Sequence, residues 1–176
     1  MEGIILYQSK YGATKRYAKW LSEETGFAML ETQKAKIGEL MRYDTILLGG
    51  GIYASGIVGL SFLSKHIGAL QGRKLIVFCS GASPYDERAF SELVRRNLKG
   101  NLQGIPCFYC RGAWDMNAMG LMDRAFCKML KKSLAKKQPG EYMPWEEALM
   151  AAGDGPCDWT DQKYIAPILA ELAKRP

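Results

Sequence analysis

Ser9-Lys10-Tyr11-Gly12-Ala13-Thr14 carries the hydroxyls and the glycine that an anion site needs, between an apolar run (Ile4 to Tyr7) and an amphipathic run (Ala13 to Glu24). A turn from a strand into a helix gathers unpaired backbone N–H groups at the positive end of the helix dipole. The natural guest is a phosphate group. The hexamer lacks the Lys-Ser or Lys-Thr that closes a nucleoside-triphosphate loop and the three spaced glycines of a dinucleotide fingerprint, so a single terminal phosphate fits better. Taken alone, it reads equally well as an ordinary strand-to-helix turn.

Two further stretches have the same character. In Gly49-Gly50-Gly51-Ile52-Tyr53-Ala54-Ser55-Gly56, glycines permit the backbone to approach a flat ligand, Tyr53 can stack on a ring face, and nearby amides can bond its edge. In Ser80-Gly81-Ala82-Ser83-Pro84-Tyr85, backbone amides can meet the polar edge of a heterocycle while Tyr85 covers its second face. The plainer readings are a glycine-rich turn for the first and a capped helix start for the second.

Other reactive side chains point elsewhere. The single histidine, His66, lies on a helical stretch leading away from these loops, which suits a surface role. Cys107 and Cys110 flank Phe108-Tyr109 in an apolar run, where strand alternation sends the two thiols to opposite faces. Reduced core thiols follow from that spacing, and no metal knuckle or redox turn. Lys10, Lys15 and Arg16 lie near the first loop and offer long-range attraction to a phosphate dianion, Lys15 and Arg16 reading more simply as a solvated helix face.

Apolar runs of strand length position these loops: Gly3–Tyr7, Phe27–Glu31, Asp44–Gly49, Lys74–Cys79 and Ile105–Cys110. Helical-period stretches lie between most of them, at Ala13–Glu24, Val58–Ala69 and Asp86–Leu98, with a last one at Asp161–Lys174 and a short turn at Ile37–Met41. Buried parallel strands read as continuous apolar runs, as Thr45-Ile46-Leu47-Leu48 and Leu75-Ile76-Val77-Phe78 do, so the order predicts an α/β fold with helices on both faces of a parallel sheet. Asp86 and Asp161 suit N-caps, Gly26, Gly72 and Gly100 suit stops, and Pro167 is expected to bend the last helix. In an open sheet of this kind ligands bind beyond the carboxyl ends of the strands, where the three loops converge.

The chain has 176 residues, 48% of them hydrophobic, which suits one domain over 1–176. No apolar run reaches bilayer length and no signal-peptide pattern opens the chain, so a cytoplasmic protein is expected. The formal charge is +6, and residues 111–137 alone carry a net +5 from Arg111, Arg124, Lys128, Lys131, Lys132, Lys136 and Lys137 against Asp115 and Asp123. This basic stretch belongs to an insertion at about 114–156, in which Met119, Met122, Phe126, Met129/Leu130 and Leu134 recur at helical spacing. Three readings stay open for it: packing on the domain, contact of 117–137 with an anionic membrane, or the lining of a homodimer or substrate groove. No recognised nucleic-acid motif is present.

The three loops together resemble those of a flavodoxin-like FMN domain over roughly residues 3 to 112 and the last helix. That resemblance implies a three-layer fold with strand order 2-1-3-4-5. It also implies a ribityl-phosphate cradle at Ser9, Lys10, Tyr11, Gly12, Ala13 and Thr14. The isoalloxazine ring would be gripped by Gly51, Ile52, Tyr53, Ala54, Gly56, Ser80, Gly81, Ala82, Ser83 and Tyr85. Gly49-Gly50-Gly51-Ile52-Tyr53, Arg111-Gly112-Ala113, Met122 to Lys128 and Asp158-Trp159-Thr160-Asp161 further resemble the flavodoxin-like, quinone-linked protoporphyrinogen oxidases, which carry a basic insertion after the fifth strand. By that resemblance Arg111, Trp114, Arg124 and Lys128 meet a porphyrinogen substrate, the arginines and the lysine as counter-charges to its carboxylates, and a quinone takes the electrons. The stretch Gln138–Pro156, with Glu146-Glu147, departs from the oxidase pattern. A flavodoxin-type electron shuttle with a redox-protein partner, and an interaction protein that has lost the cofactor, are the alternatives.

Overall fold

The computed structural model describes residues 2–153 and 155–174. In chain order the strands are β1 (Gly3–Gln8), β2 (Ala28–Glu31), β3 (Thr45–Tyr53), β4 (Gly56–Ile57), β5 (Lys74–Gly81), β6 (Cys107–Arg111), β7 (Ala113–Trp114) and β8 (Cys157–Asp158). The helices are α1 (Ala13–Thr25), α2 (Ile37–Leu40), α3 (Leu60–His66), α4 (Glu87–Asn97), α5 (Leu121–Leu134), α6 (Pro144–Ala151) and α7 (Ala166–Ala173). The main sheet runs β2-β1-β3-β5-β6 with every pair parallel, and β4 folds back antiparallel on β3. With the short β4 set aside, this is the expected 2-1-3-4-5 order.

Alternation along the strands divides the core into two layers. Ile4 and Leu6, Ile46 and Leu48, and Val77 and Cys79 face α3 and α4; Ile5, Leu47, Ile76 and Phe78 face α1 and α7. Each such side chain, when fully buried, contributes about 1.5–3 kcal/mol. Cys107 packs on the first layer and Cys110 on the second, the opposite placement that strand alternation requires, and all five cysteines are free thiols.

Several boundaries differ from the sequence reading, among them those of β3, α3 and α7. β3 continues through the three glycines to Tyr53, because the glycines admit neighbours that a side chain would exclude. A Cβ on Gly49 would fall 2.1 Å from the Phe78 ring, and one on Gly50 would fall 2.1 Å from the Val58 carbonyl oxygen. The helical run at 58–69 begins only after Gly59, whose φ of +90° caps α3, and ends as a 3-10 turn over Ile67–Leu70. The last run opens as a 3-10 turn, Gln162–Ile165, and Pro167 lies in the first turn of α7, where its missing N–H costs nothing. Pro167 therefore helps to start the helix and does not bend it.

The insertion is an excursion closed at its base. β7 and β8 pair antiparallel, Ala113 with Asp158 and Trp114 with Cys157, so the chain leaves and returns at one point beside β6. Arg16 ties this ribbon to α1 by donating to Asp158 and, at 2.8 Å, to Thr160 Oγ1, so Arg16 is not merely a solvated side chain. The acidic stretch forms α6, whose Glu146 accepts from Lys137 Nζ at 2.8 and 3.0 Å.

The stripe on α5 divides between the readings left open for it: Met119, Phe126 and Leu130 line the cavities beneath the helix. Of the Met119–Leu134 stripe only Leu134 is fully buried, whereas Met122 and Met129 face solvent. Asp123 and Cys127 turn inward with Leu130 and Leu134 of the stripe, and Asp123 fixes that side by bonding back to the first loop.

Candidate functional site

β1, β3, β5 and β6 end level with one another: Gln8 lies beside Gly50, Gly51 beside Ser80, and Gly81 beside Arg111. Strand order reverses between β1 and β3, so their carboxyl ends splay the following loops and leave a crevice. α5 lies across that crevice.

At the β1 end, Ser9 Oγ accepts from the Gly12 N–H at 3.1 Å, and Gly12, at φ +94°, forms the N-cap of α1. A left-handed residue here is the reason for glycine at this position. No acidic residue occupies the first turn of α1, so its dipole is uncompensated from within the helix. Thr14 is buried, and its hydroxyl is 2.7 Å from that of Ser80, which joins the first loop to the end of β5.

At the β3 end, Ala54 and Ser55 both have positive φ, 46° and 64°, in the tight turn between β3 and β4. Such a turn favours glycine or asparagine, and non-glycine residues there carry strain. Asn97 of α4 braces it: Asn97 Nδ2 donates to the Ser55 carbonyl at 2.8 Å, and the Ile57 N–H donates to Asn97 Oδ1 at 2.9 Å. At the β5 end the Tyr109 hydroxyl shares its one proton between the carbonyls of Gly81 and Ser83, at 2.9 and 2.5 Å, and burial holds that phenol well above its ordinary pKa.

These loops and the insertion enclose two adjoining cavities. The first, about 320 Å³, is bordered by Ser9, Tyr11, Ala13 and Thr14 at one end, by Gly51 to Ala54 and Ser80 to Ala82 along its length, and by Gly112, Ala113 and Trp114 opposite. Met119, Asp123, Phe126 and Cys127 of the insertion cover it. The second, about 540 Å³, is walled by Ser83, Pro84, Phe90, Leu93 and Tyr109 from the domain and by Leu130, Trp145, Leu149 and Trp159 from the far side. Ile52, Ala54, Gly81, Ala82, Trp114, Phe126 and Cys127 border both cavities.

One carboxylate dominates the electrostatics. Asp123 accepts from Lys10 Nζ and from the Tyr11 hydroxyl, and these bonds, Lys10 first, hold its carboxyl below the usual value. The Asp123 bond in turn holds Lys10 above its ordinary value, whereas Tyr11 is raised first by burial and then by that bond. Lys10 also lies 5.4 and 5.8 Å from the ring centres of Tyr11 and Tyr53, within cation–π range. Burial keeps the Tyr53 phenol above its ordinary value. The long-range attraction expected of Lys10 is thus largely answered by Asp123.

The remaining anticipated residues divide cleanly. Gly56 pairs with Tyr53 across the strained turn, outside both linings. Tyr85 packs its ring on Phe90 and Tyr109, at 5.7 and 6.0 Å, on the far side of the second cavity's wall. The Arg111 guanidinium lies 4.4 Å from the Trp159 ring centre and donates to the Ala82 carbonyl at 3.3 Å. Arg124 is committed to the carbonyls of Met116, Asn117 and Met119, at 2.8, 2.6 and 3.1 Å, and so shapes the 115–119 turn. Lys128 is exposed on α5 and borders neither cavity. His66 stacks near Phe62, remote from the crevice.

Sequence reasoning missed Asp123, Asn97 and the aromatic wall of Trp145 and Trp159. Their roles depend on pairings between residues 40 to 113 positions apart, which no local pattern encodes. Among the described residues no cluster of three or more His, Cys, Asp or Glu side chains could hold a metal ion, and no helix is long and apolar enough to cross a membrane.

The chain is similar in fold to several solved flavoproteins. Two-electron reduced flavodoxin from Megasphaera elsdenii shares 19% identity over 61% of this chain and 82% of that one, with a TM-score of 0.46. A WrbA-like flavodoxin from Agrobacterium tumefaciens shares 16% over 98% and 99% of the two chains, at 0.45. A flavoprotein from Lactobacillus acidophilus, solved in complex with FMN, shares 15% over 62% and 91%, at 0.43. No curated protein matches the chain. The model of the flavodoxin domain matches residues 4–140, which span β1 to the turn after α5, and on that match the chain belongs to the flavodoxin-domain family.

Proposed function

We propose that the protein is an FMN-dependent oxidoreductase, with the flavin in the first cavity and an organic substrate reaching it from the second. The observation that carries this reading is the wall of small and aromatic residues common to both cavities.

The residues of the first cavity fit FMN. The α1 amides with Ser9 and Thr14 would hold the phosphate, and the open faces at Gly51, Gly81 and Gly112 suit a flat ring. Trp114 Nε1 is buried without a hydrogen-bond partner among the described residues, although the residue borders both cavities. An orphaned donor of this kind is costly unless a ligand acceptor completes it. When bound, FMN supplies the acceptance and donation of hydride or single electrons. The protein's part is to fix the ring and exclude water. Burial holds the Tyr53 phenol in its protonated form, a donor beside the ring site, while the Tyr11 proton is committed to Asp123.

The second cavity favours a largely apolar, ring-bearing substrate, since Phe90, Tyr109, Trp145 and Trp159 line it. Asp86 is the one charged residue of its lining; Arg111 lies outside that lining, held behind Trp159, from where it would meet a substrate carboxylate only at the cavity's margin. This pattern supports protoporphyrinogen as the electron donor and a quinone as the acceptor, the activity of the oxidases that the chain's motifs resemble. Arg124 and Lys128 add little to that recognition, given their positions. A second reading, one-electron transfer to a redox-protein partner, is favoured by the flavodoxin-domain match itself.

Turnover assays on FMN-loaded protein separate the two. Oxidation of protoporphyrinogen coupled to quinone reduction, weakened by Trp159→Ala, is the expected result. Full FMN loading without turnover would favour the shuttle.

A further inference from the structure

We infer that α5 docks the protein flat on an anionic lipid surface. The inference rests on the outward face of that helix and is independent of flavin binding.

A surface helix ordinarily turns polar side chains to water and apolar ones inward. On α5 Leu121 is 84% exposed, Met122 87% and Met129 63%. At helical spacing Leu121, Met122, Ala125 and Met129 share one side, with Lys132 among them, Lys128 at its edge and Lys136 in the turn beyond. The helix has 14 residues, so the face is about 21 Å long. An exposed apolar strip of this kind calls for a covering surface.

Charge identifies the cover. Lys128, Lys132 and Lys136 are exposed and form no ion pair among the described residues. The one acid of α5, Asp123, lies on the opposite side and is taken by Lys10 and Tyr11. The face is therefore cationic and unanswered. A second copy of the chain related by a two-fold axis would set these lysines against their own copies, with no acid of α5 to pair them. A bilayer accepts the same pattern: methionine and leucine enter the acyl boundary while lysine stems snorkel to anionic headgroups.

Docking this way would lay α5, the roof of the first cavity, against the lipid, so apolar compounds dissolved in the bilayer would arrive beside the second. Flotation of the full chain with vesicles of phosphatidylcholine, alone or mixed with phosphatidylglycerol, tests the inference. The wild type should bind the mixed vesicles and not the neutral ones, and high salt should release it. Lys128→Gln with Lys132→Gln should weaken binding roughly 30-fold, and Met122→Gln with Met129→Gln roughly tenfold. Both pairs should leave circular dichroism and thermal melting unchanged, since none of the four side chains is buried. Equal binding to neutral and anionic vesicles, no binding to either, or binding indifferent to both pairs would overturn the inference. So would a dimer in sedimentation equilibrium that the same substitutions dissolve, because the face would then join two copies.

Discussion

In the sheet, Leu47, Ile76 and Phe78 are sealed between α1 and α7, whereas on α5 only Leu134 is buried and Leu121, Met122 and Met129 face solvent. The sheet is held by apolar burial. The insertion is held in place largely by polar contacts: Asp123 to Lys10 and Tyr11, Arg124 to three carbonyls, Lys137 to Glu146, and the β7–β8 ribbon tied to Arg16. A frame stabilised by its core can keep its loops level while a more lightly attached cover sets what reaches them. The two regions should then respond to different perturbations.

The largest contrast should appear in stability. Leu47→Ala removes side-chain atoms that are fully buried and should cost about 2–5 kcal/mol in chemical denaturation. Met129→Ala on the insertion should stay within about 0.5 kcal/mol. Equal costs would break the comparison. Thr14→Val comes next, because it leaves the Ser80 hydroxyl buried without its 2.7 Å partner, at about 1–3 kcal/mol, and it should also weaken FMN binding in a fluorescence titration. Asn97→Ala is smaller still. It frees the strained Ala54-Ser55 turn, with a cost of about 1 kcal/mol and faster hydrogen exchange at the Ile57 amide.

Asp123→Asn should change the stability of the sheet least, yet it isolates the cover. Amide exchange should rise across α5 while the β1 and β3 amides stay protected. Acid should act in the same direction. Because its partners lower the folded carboxyl below 3.8, the stabilisation from Asp123 is complete above that value and is lost as pH falls through the folded one. α5 should therefore loosen in acid before the sheet does, and simultaneous loss of both would argue against a separately attached cover.

The same contrast governs what could be read from the chain alone. Continuous apolar strands such as Thr45–Leu48 announce a buried parallel sheet, because burial on both faces leaves no other composition. Ser9, Gly12 and Thr14 were readable for a similar reason: a strand, a turn and a helix follow directly upon one another. Gly49 to Gly51 misled, since a glycine run looks like a loop until Phe78 and the Val58 carbonyl occupy the space that side chains would fill. The Met119–Leu134 stripe left its partner open for a different reason. Periodicity identifies a helix and its apolar side, but Asp123, a single polar anchor, decides which side turns inward. The second cavity draws its wall from residues as distant as Ser55, Phe90, Leu130 and Trp159, and no local pattern contains it.

The most direct test of the account is the visible spectrum of the purified chain after incubation with FMN and gel filtration. A yellow protein with one flavin per chain and quenched flavin fluorescence, lost when Gly112→Leu fills the crevice beside Ala13 and Gly81, is the predicted result. A colourless protein that retains no FMN would contradict it.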